Sequence, residues 1–329
     1  MKSLDEDELC YPHLLNTSCG KAMRPHFVSM LTYILLSSIS LLTVTLNLLV
    51  IISISYFKQL HTPTNLLLIS LAVSDFFVGF IMFFQIVLTG GCWFLGDLMC
   101  VLYQYLAYII TSASVGTMVL ISVDRYVAIC EPLHYANKVT QKRVKICVCL
   151  CWTCSAIYST LPLKDNLDEP GRYNSCFGEC VVVINYVGGL TDLFLTFIGP
   201  VTVIIVLYMR VFVVAVTQAR AMRSHAAELP LRLSMTITPK KSELKAARTL
   251  GVVIVVFLLC ICPYYCVALT DQDTLLNASS ATIVICVFYF NSCLNPLIYA
   301  FFYPWFRKSM KLIVSLEILQ PGSCERNLL

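Results

Sequence analysis

A single acidic residue, Asp192, stands inside the otherwise uncharged apolar run Val181–Met209. Inserting a carboxylate at depth in hydrocarbon is costly, so such a residue has a partner or a function. No Lys or Arg interrupts any of the other long apolar runs, which leaves this acid without a counter-ion of its own. Thr196 follows at i+4 on the same helical face, and Pro200 lies about two turns further along. An ammonium entering a low-dielectric pocket beside Asp192 would meet opposite charge and form a charge-assisted hydrogen bond, stronger there than in water. The chemistry this placement supports is the binding of an amine.

Other polar and aromatic residues fall at spacings that would complete such a pocket. Tyr103, Ala107 and Thr111 follow one another at four-residue steps, with Tyr108 beside them, on the inner side of the helix that carries them. Aromatic faces stabilise an ammonium by roughly 0.5–2 kcal/mol per contact. A second acid, Asp75, breaks the run Thr64–Gly96. Asp75 and Asp192 sit at different depths without a matching motif, so the facing carboxylates that an intramembrane hydrolase needs are not formed, and the chain is not read as an enzyme. Of 17 cysteines, Cys10, Cys19, Cys92, Cys100, Cys176 and Cys180 lie in or beside loops that would meet an oxidising compartment, where disulfides persist. Spacing alone leaves their connectivity open. The sequons at Asn16 and Asn277 predict glycosylation on the same side.

The elements that must position these residues follow from composition. The chain has 329 residues, 58% of them hydrophobic and 13% charged, against about 25% charged in a soluble domain. Uncharged runs long enough to cross about 30 Å of hydrocarbon occur at Phe27–Phe57, Thr64–Gly96, Leu98–Val123, Ile146–Leu163, Val181–Met209, Thr249–Thr270 and Thr274–Phe306. Lipid requires them to be helical, which predicts an all-α membrane protein, a seven-transmembrane helix bundle. With the N-terminus outside, 18 of the 23 Lys and Arg residues fall inside, as the positive-inside rule demands. The net charge of +4 is that bias and no sign of nucleic-acid binding. Met1–Glu8 is polar and acidic, so no cleavable signal pattern opens the sequence, and the first run is expected to serve as an uncleaved anchor. The expected division is an outer N-terminus over residues 1–26, a membrane domain over 27–306, and an amphipathic helix 8 with a cytoplasmic tail over 307–329. A transporter is disfavoured because no inverted repeat relates the two halves.

Along these runs the isolated polar and proline residues form a pattern that resembles rhodopsin-like (class A) G-protein-coupled receptors. The matches are Asn47, Asp75, Asp124-Arg125-Tyr126, Trp152, Pro200, Pro263 and Asn295-Pro296-Leu297-Ile298-Tyr299. More narrowly, NSCLNPLIYAFFYPWF at 291–306, the pair Cys10 and Cys19, and SCFGEC at 175–180 resemble the trace amine-associated receptors. The usual acid of amine receptors on the third helix is replaced by Ala107, and its relocation to Asp192 resembles fish-type members of that family.

The resemblance implies a Cys100–Cys180 disulfide and a bond from Cys176 to the N-terminus, at Cys19 rather than Cys10. It implies that Tyr264, Tyr265 and Tyr289 face the third helix across the ligand. It gathers Asp75, Ser114, Asn291, Ser292 and Asn295 into a polar cavity suited to sodium, with no other cofactor. It also implies an ionic lock from Glu243 to Arg125, with Tyr208 and Tyr299 filling the space that opens when the sixth helix swings out. Pro200, Val115 and Phe257 match the packing connector beneath the pocket, while Ile261 stands where relatives carry a tryptophan. The implied function is a plasma-membrane chemosensor for small amines, olfactory by family, coupled to a stimulatory or olfactory heterotrimeric G protein that raises cyclic AMP. The competing ligand classes are lipid and peptide, neither of which needs a lone membrane carboxylate.

Overall fold

The computed structural model describes residues 9–14, 16–20, 26–228, 249, 251–267, 278–320, 322–326 and 328. Seven helices follow the seven apolar runs. They are α1 (His26–Tyr56), α2 (Pro63–Thr89), α3 (Asp97–Cys130), α4 (Gln141–Ser159), α5, which begins as Tyr186–Asp192 and runs on into Gly199–Glu228, α6 (described over Gly251–Val267) and α7 (Ala278–Phe302). Their packing turns a soluble protein inside out. Phe27, Phe83 and Phe212 lie on the outward surface, whereas Asn47, Ser74, Asp75, Thr117 and Asn295 are buried at the helix interfaces. Hydrocarbon accepts the former, and only protein partners satisfy the latter.

Local chemistry sets where the helices begin. Thr62 caps α2 by accepting from the Asn65 amide at 3.2 Å, and Pro63 occupies the first turn, where its missing N–H costs nothing. Gly96, at φ +80°, makes the sharp entry to α3, a conformation that a side chain would strain. The start of α4 lies five residues before the apolar run, because Lys142, Arg143 and Lys145 continue the helix beyond the hydrocarbon. The start of α5 lies later than the run does. Val181–Asn185 is not helical: the Val181 amide bonds Asn174 Oδ1 at 3.0 Å, and Asn166 brackets Val183 with bonds of 3.3 and 2.8 Å.

Three disulfides lie at the end that the charge bias turns outward: Cys10–Cys92, Cys19–Cys176 and Cys100–Cys180. The last two are the bonds implied by resemblance, and the first gives Cys10 a partner in the loop between α2 and α3. The segment 9–20 is further stitched to the second outer loop by Cys19 N–H to Phe177 O (2.9 Å) and Phe177 N–H to Thr17 O (2.7 Å). At the opposite end α8 (Pro304–Val314) follows α7. The tail then folds back on α1: Tyr56 Oη lies 2.7 Å from Ser323 Oγ, and Leu328 is buried in the same apolar cluster as Phe57 and Leu60.

Candidate ligand site

A cavity of about 200 Å³ opens between α2, α3, α5, α6 and α7. All eight pocket residues expected from sequence line it: Tyr103, Tyr108 and Thr111 from α3, Asp192 and Thr196 from α5, Tyr264 and Tyr265 from α6, and Tyr289 from α7. Ala107 lies among them, and its methyl leaves the space that a larger side chain would fill. Drug-sized ligands occupy roughly 300–1,000 Å³, so this volume suits a small molecule.

The backbone that presents Asp192 is unusual. Directly after it, Leu193–Ile198 forms a π-helical segment, an inserted-residue distortion common at functional sites. Within this segment Thr196 is buried and donates to Asp192 Oδ1 at 3.0 Å. Tyr158 Oη of α4 donates to the same oxygen at 3.2 Å, and Tyr265 Oη reaches Oδ2 at 3.4 Å. A carboxylate offers about four acceptor positions. Three neutral hydroxyls therefore leave capacity, chiefly on Oδ2, and they leave the charge uncompensated. None of the ion pairs among the described residues includes Asp192. Around it the Tyr265 ring stacks on Phe197 at 4.5 Å, and Tyr264 packs edge-on against Tyr265 at 5.3 Å.

Beneath the cavity a smaller space of about 30 Å³ is lined by Ser114, Asn291 and Ser292, with Thr111, Phe288 and Tyr289 shared between the two. That is room for one or two waters or a small ion. Val115, Phe257 and Ile261 close it from the apolar side. Asn295 Nδ2 donates to Asp75 Oδ2 at 2.8 Å, and both residues are fully buried. The Oδ1 atoms of Asp75, Asn291 and Asn295 are buried without a hydrogen-bond partner among the described residues.

At the inner end Arg125 is buried with Asp124 in a closed cluster. Arg125 Nε donates to Asp124 Oδ2 at 3.0 Å, and Nη2 contacts the same oxygen. Thr64 Oγ1 accepts from Arg125 at 2.7 Å and donates to Asp124 at 3.0 Å, while Tyr135 Oη supplies Asp124 Oδ1 at 2.9 Å. Tyr126 packs on Ile129 and Val211, outside this cluster. Pro296 sits within α7. The Tyr208 and Tyr299 hydroxyls are buried without hydrogen-bond partners among the described residues. Glu243 and Asn277 lie outside the described residues, and Asn16 is exposed.

A family model described as the seven-transmembrane receptor (rhodopsin family) matches residues 46–299. Trace amine-associated receptor 13c of Danio rerio is 37% identical over 335 residues, covering 98% of this chain and 97% of the relative. Trace amine-associated receptor 9 of Rattus norvegicus is 39% identical, with 98% and 97% covered. Trace amine-associated receptor 1 of Macaca mulatta is 34% identical, with 94% and 95% covered. The chain belongs to the trace amine-associated receptors.

As a G-protein-coupled receptor of this family it is a multi-pass membrane protein and not an enzyme. The receptor also brings to the cavity residues that sequence reasoning passed over: Gln85 of α2, Gln104 of α3, and Ile285 and Phe288 of α7, with Tyr158 reaching Asp192 from α4. A search for charges inside apolar runs cannot find neutral amides. Gln85 and Gln104 were nonetheless visible as uncharged polar residues at membrane depth. Tyr158 carried no comparable signal, because a tyrosine in an apolar run is usually packing.

Proposed function

We propose that this receptor senses a small amine whose ammonium pairs with Asp192, and that it signals through a stimulatory or olfactory heterotrimeric G protein to raise cyclic AMP. The carrying observation is a carboxylate on the wall of a small aromatic cavity, with hydroxyl donors but no cation among the described residues. The relatives that it resembles are named for trace amines. Placement of the acid on α5, with Ala107 on α3, supports a fish-type pocket in which the amine lies reversed. The disulfides at the opposite end from the basic segments support a plasma-membrane orientation with the N-terminus outside, where Asn16 is open to glycosylation.

Ammonium binding would draw α5 and α6 together through Asp192 and Tyr265. Arg125, released from Asp124 and Thr64, would then be free to meet the G protein. The orphaned acceptors of Asp75, Asn291 and Asn295, with Ser114 and Ser292, fit a sodium ion, which would supply a fixed positive charge between α2 and α7.

The hydroxyl contacts also favour a second reading, in which Asp192 is a structural hub joining α4, α5 and α6. Asp192→Asn separates the two. The amine reading expects normal surface expression with amine-evoked cyclic AMP lost. Full potency in the variant would refute it, and loss of surface expression, with Asp192→Glu failing to restore it, would favour the hub.

A further inference from the structure

The cavity has a second polar end that the ammonium does not use. Gln85 and Gln104 line the cavity from α2 and α3, whereas Asp192 stands on α5. Tyr103 Oη donates to Gln85 Oε1 at 2.8 Å, which fixes the carboxamide with one oxygen lone pair used and, among the described residues, its two N–H groups unspent. Tyr103 cannot easily turn away. It is buried against Phe84 and Trp93, at centroid distances of 5.4 and 6.1 Å, and the Trp93 indole is itself tied to Gly96 O at 2.8 Å. Gln104 contributes a second amide to the cavity lining, one residue on from Tyr103 along α3. Asp192 is the one acid among the described lining residues, so the described part of this end is neutral.

We infer that the α2–α3 wall is an uncharged subsite for an oxygen acceptor, so the preferred ligand is an amine that carries a hydroxyl, ether or carbonyl oxygen remote from its nitrogen. This rests on the amine reading of Asp192 and adds the chemistry of the ligand's other end. A hydrocarbon tail laid over amide N–H groups strips them of water and returns nothing, which is costly for buried donors. A second ammonium is worse, because it carries donors only and finds neutral amide oxygens, one already shared with Tyr103, and no acid among the described residues of this wall. A site built to hydrogen-bond an oxygen rejects the analogue lacking it far more strongly than an apolar pocket rejects an added hydroxyl. The expected ranking at equal length is therefore amino alcohol, then alkylamine, then diamine.

The test uses the full-length receptor in a cyclic AMP reporter cell, with surface expression measured for every variant. The probes are aminohexanol, heptylamine and hexamethylenediamine, which match in heavy-atom count. Wild type should respond to aminohexanol at a concentration about tenfold lower than to heptylamine, the effect of one satisfied buried donor. Gln85→Leu and Gln104→Leu should bring the two within about threefold of each other, chiefly by weakening aminohexanol. Gln104→Asp should raise hexamethylenediamine to the level of aminohexanol. A wild type that ranks heptylamine or the diamine first, that answers none of the three, or whose preference survives both leucine variants, overturns the subsite. Asp192→Asn with undiminished potency overturns the amine reading instead, so the two failures are separable.

Discussion

At Asp192 the molecule meets a conflict between solubility in lipid and readiness to bind. Three hydroxyls make the carboxylate tolerable without neutralising it, which is what a site awaiting a cation requires. Tyr265 plays two parts there, as a hydroxyl donor and as an aromatic face stacked on Phe197. Tyr265→Leu removes both and should raise the EC50 for amines by roughly 3- to 30-fold, the span of one cation–π contact. Tyr265→Phe keeps the ring and gives up a long hydrogen bond, so its EC50 should stay within about threefold of wild type. Dose–response curves on the two variants separate charge solvation from ring contact. The acid was legible in the sequence because it departs from what lipid favours, Tyr103 and Tyr108 because of their helical spacing, and Tyr264, Tyr265 and Tyr289 only through the family resemblance. Its partner Tyr158 was not, because the pairing of α4 with α5 depends on helix rotation, and spacing within one run does not encode it.

Helix α5 carries the π-helical segment Leu193–Ile198 between Asp192 and Pro200. Deleting Leu195, whose side chain faces outward, would restore regular α-helix and turn everything above it by about 100° relative to Pro200. Amine-evoked cyclic AMP should then vanish while surface labelling persists; an unaltered response would show that the distortion does not aim Asp192. The seven apolar runs gave the positions of the helices because span length is set by bilayer thickness. The ends were less legible. Basic side chains carry α4 beyond the hydrocarbon, and asparagine side chains hold Val181–Asn185 out of helix despite its apolar composition.

Across the whole molecule, one end is latched by hydrogen bonds and the other by covalent bonds. In the proposed signalling cycle Thr64 holds Arg125 against Asp124, so Thr64→Val should raise ligand-independent cyclic AMP by up to about tenfold, the equilibrium equivalent of one charge-assisted bond. Basal activity at or below wild type would argue that the latch is set elsewhere. At the disulfide-bonded end, the segment 9–20 is tethered twice, through Cys10–Cys92 and Cys19–Cys176, whereas Cys100–Cys180 is the one disulfide among the described residues that ties α3 to the loop after α4, beside the Asn174 Nδ2 to Asp97 Oδ1 hydrogen bond of 2.8 Å. The paired change Cys10→Ser with Cys92→Ser should therefore cost less amine potency and less surface expression than Cys100→Ser with Cys180→Ser. The Cys10–Cys92 bond was open in the sequence, where six eligible thiols offered no order of preference.

Those six thiols bear on how the protein is made in quantity. They can join in about fifteen complete ways, and the native set crosses itself, since the 19–176 bond interleaves with both the 10–92 and the 100–180 bonds along the chain. Synthesis in a reducing cytosol or a thiol-rich cell-free mixture would leave the outer face unstitched, and late oxidation would have to find one pattern among many. Secretory-pathway hosts, or detergent refolding with a disulfide isomerase, are the routes by which ligand-competent material should be obtained.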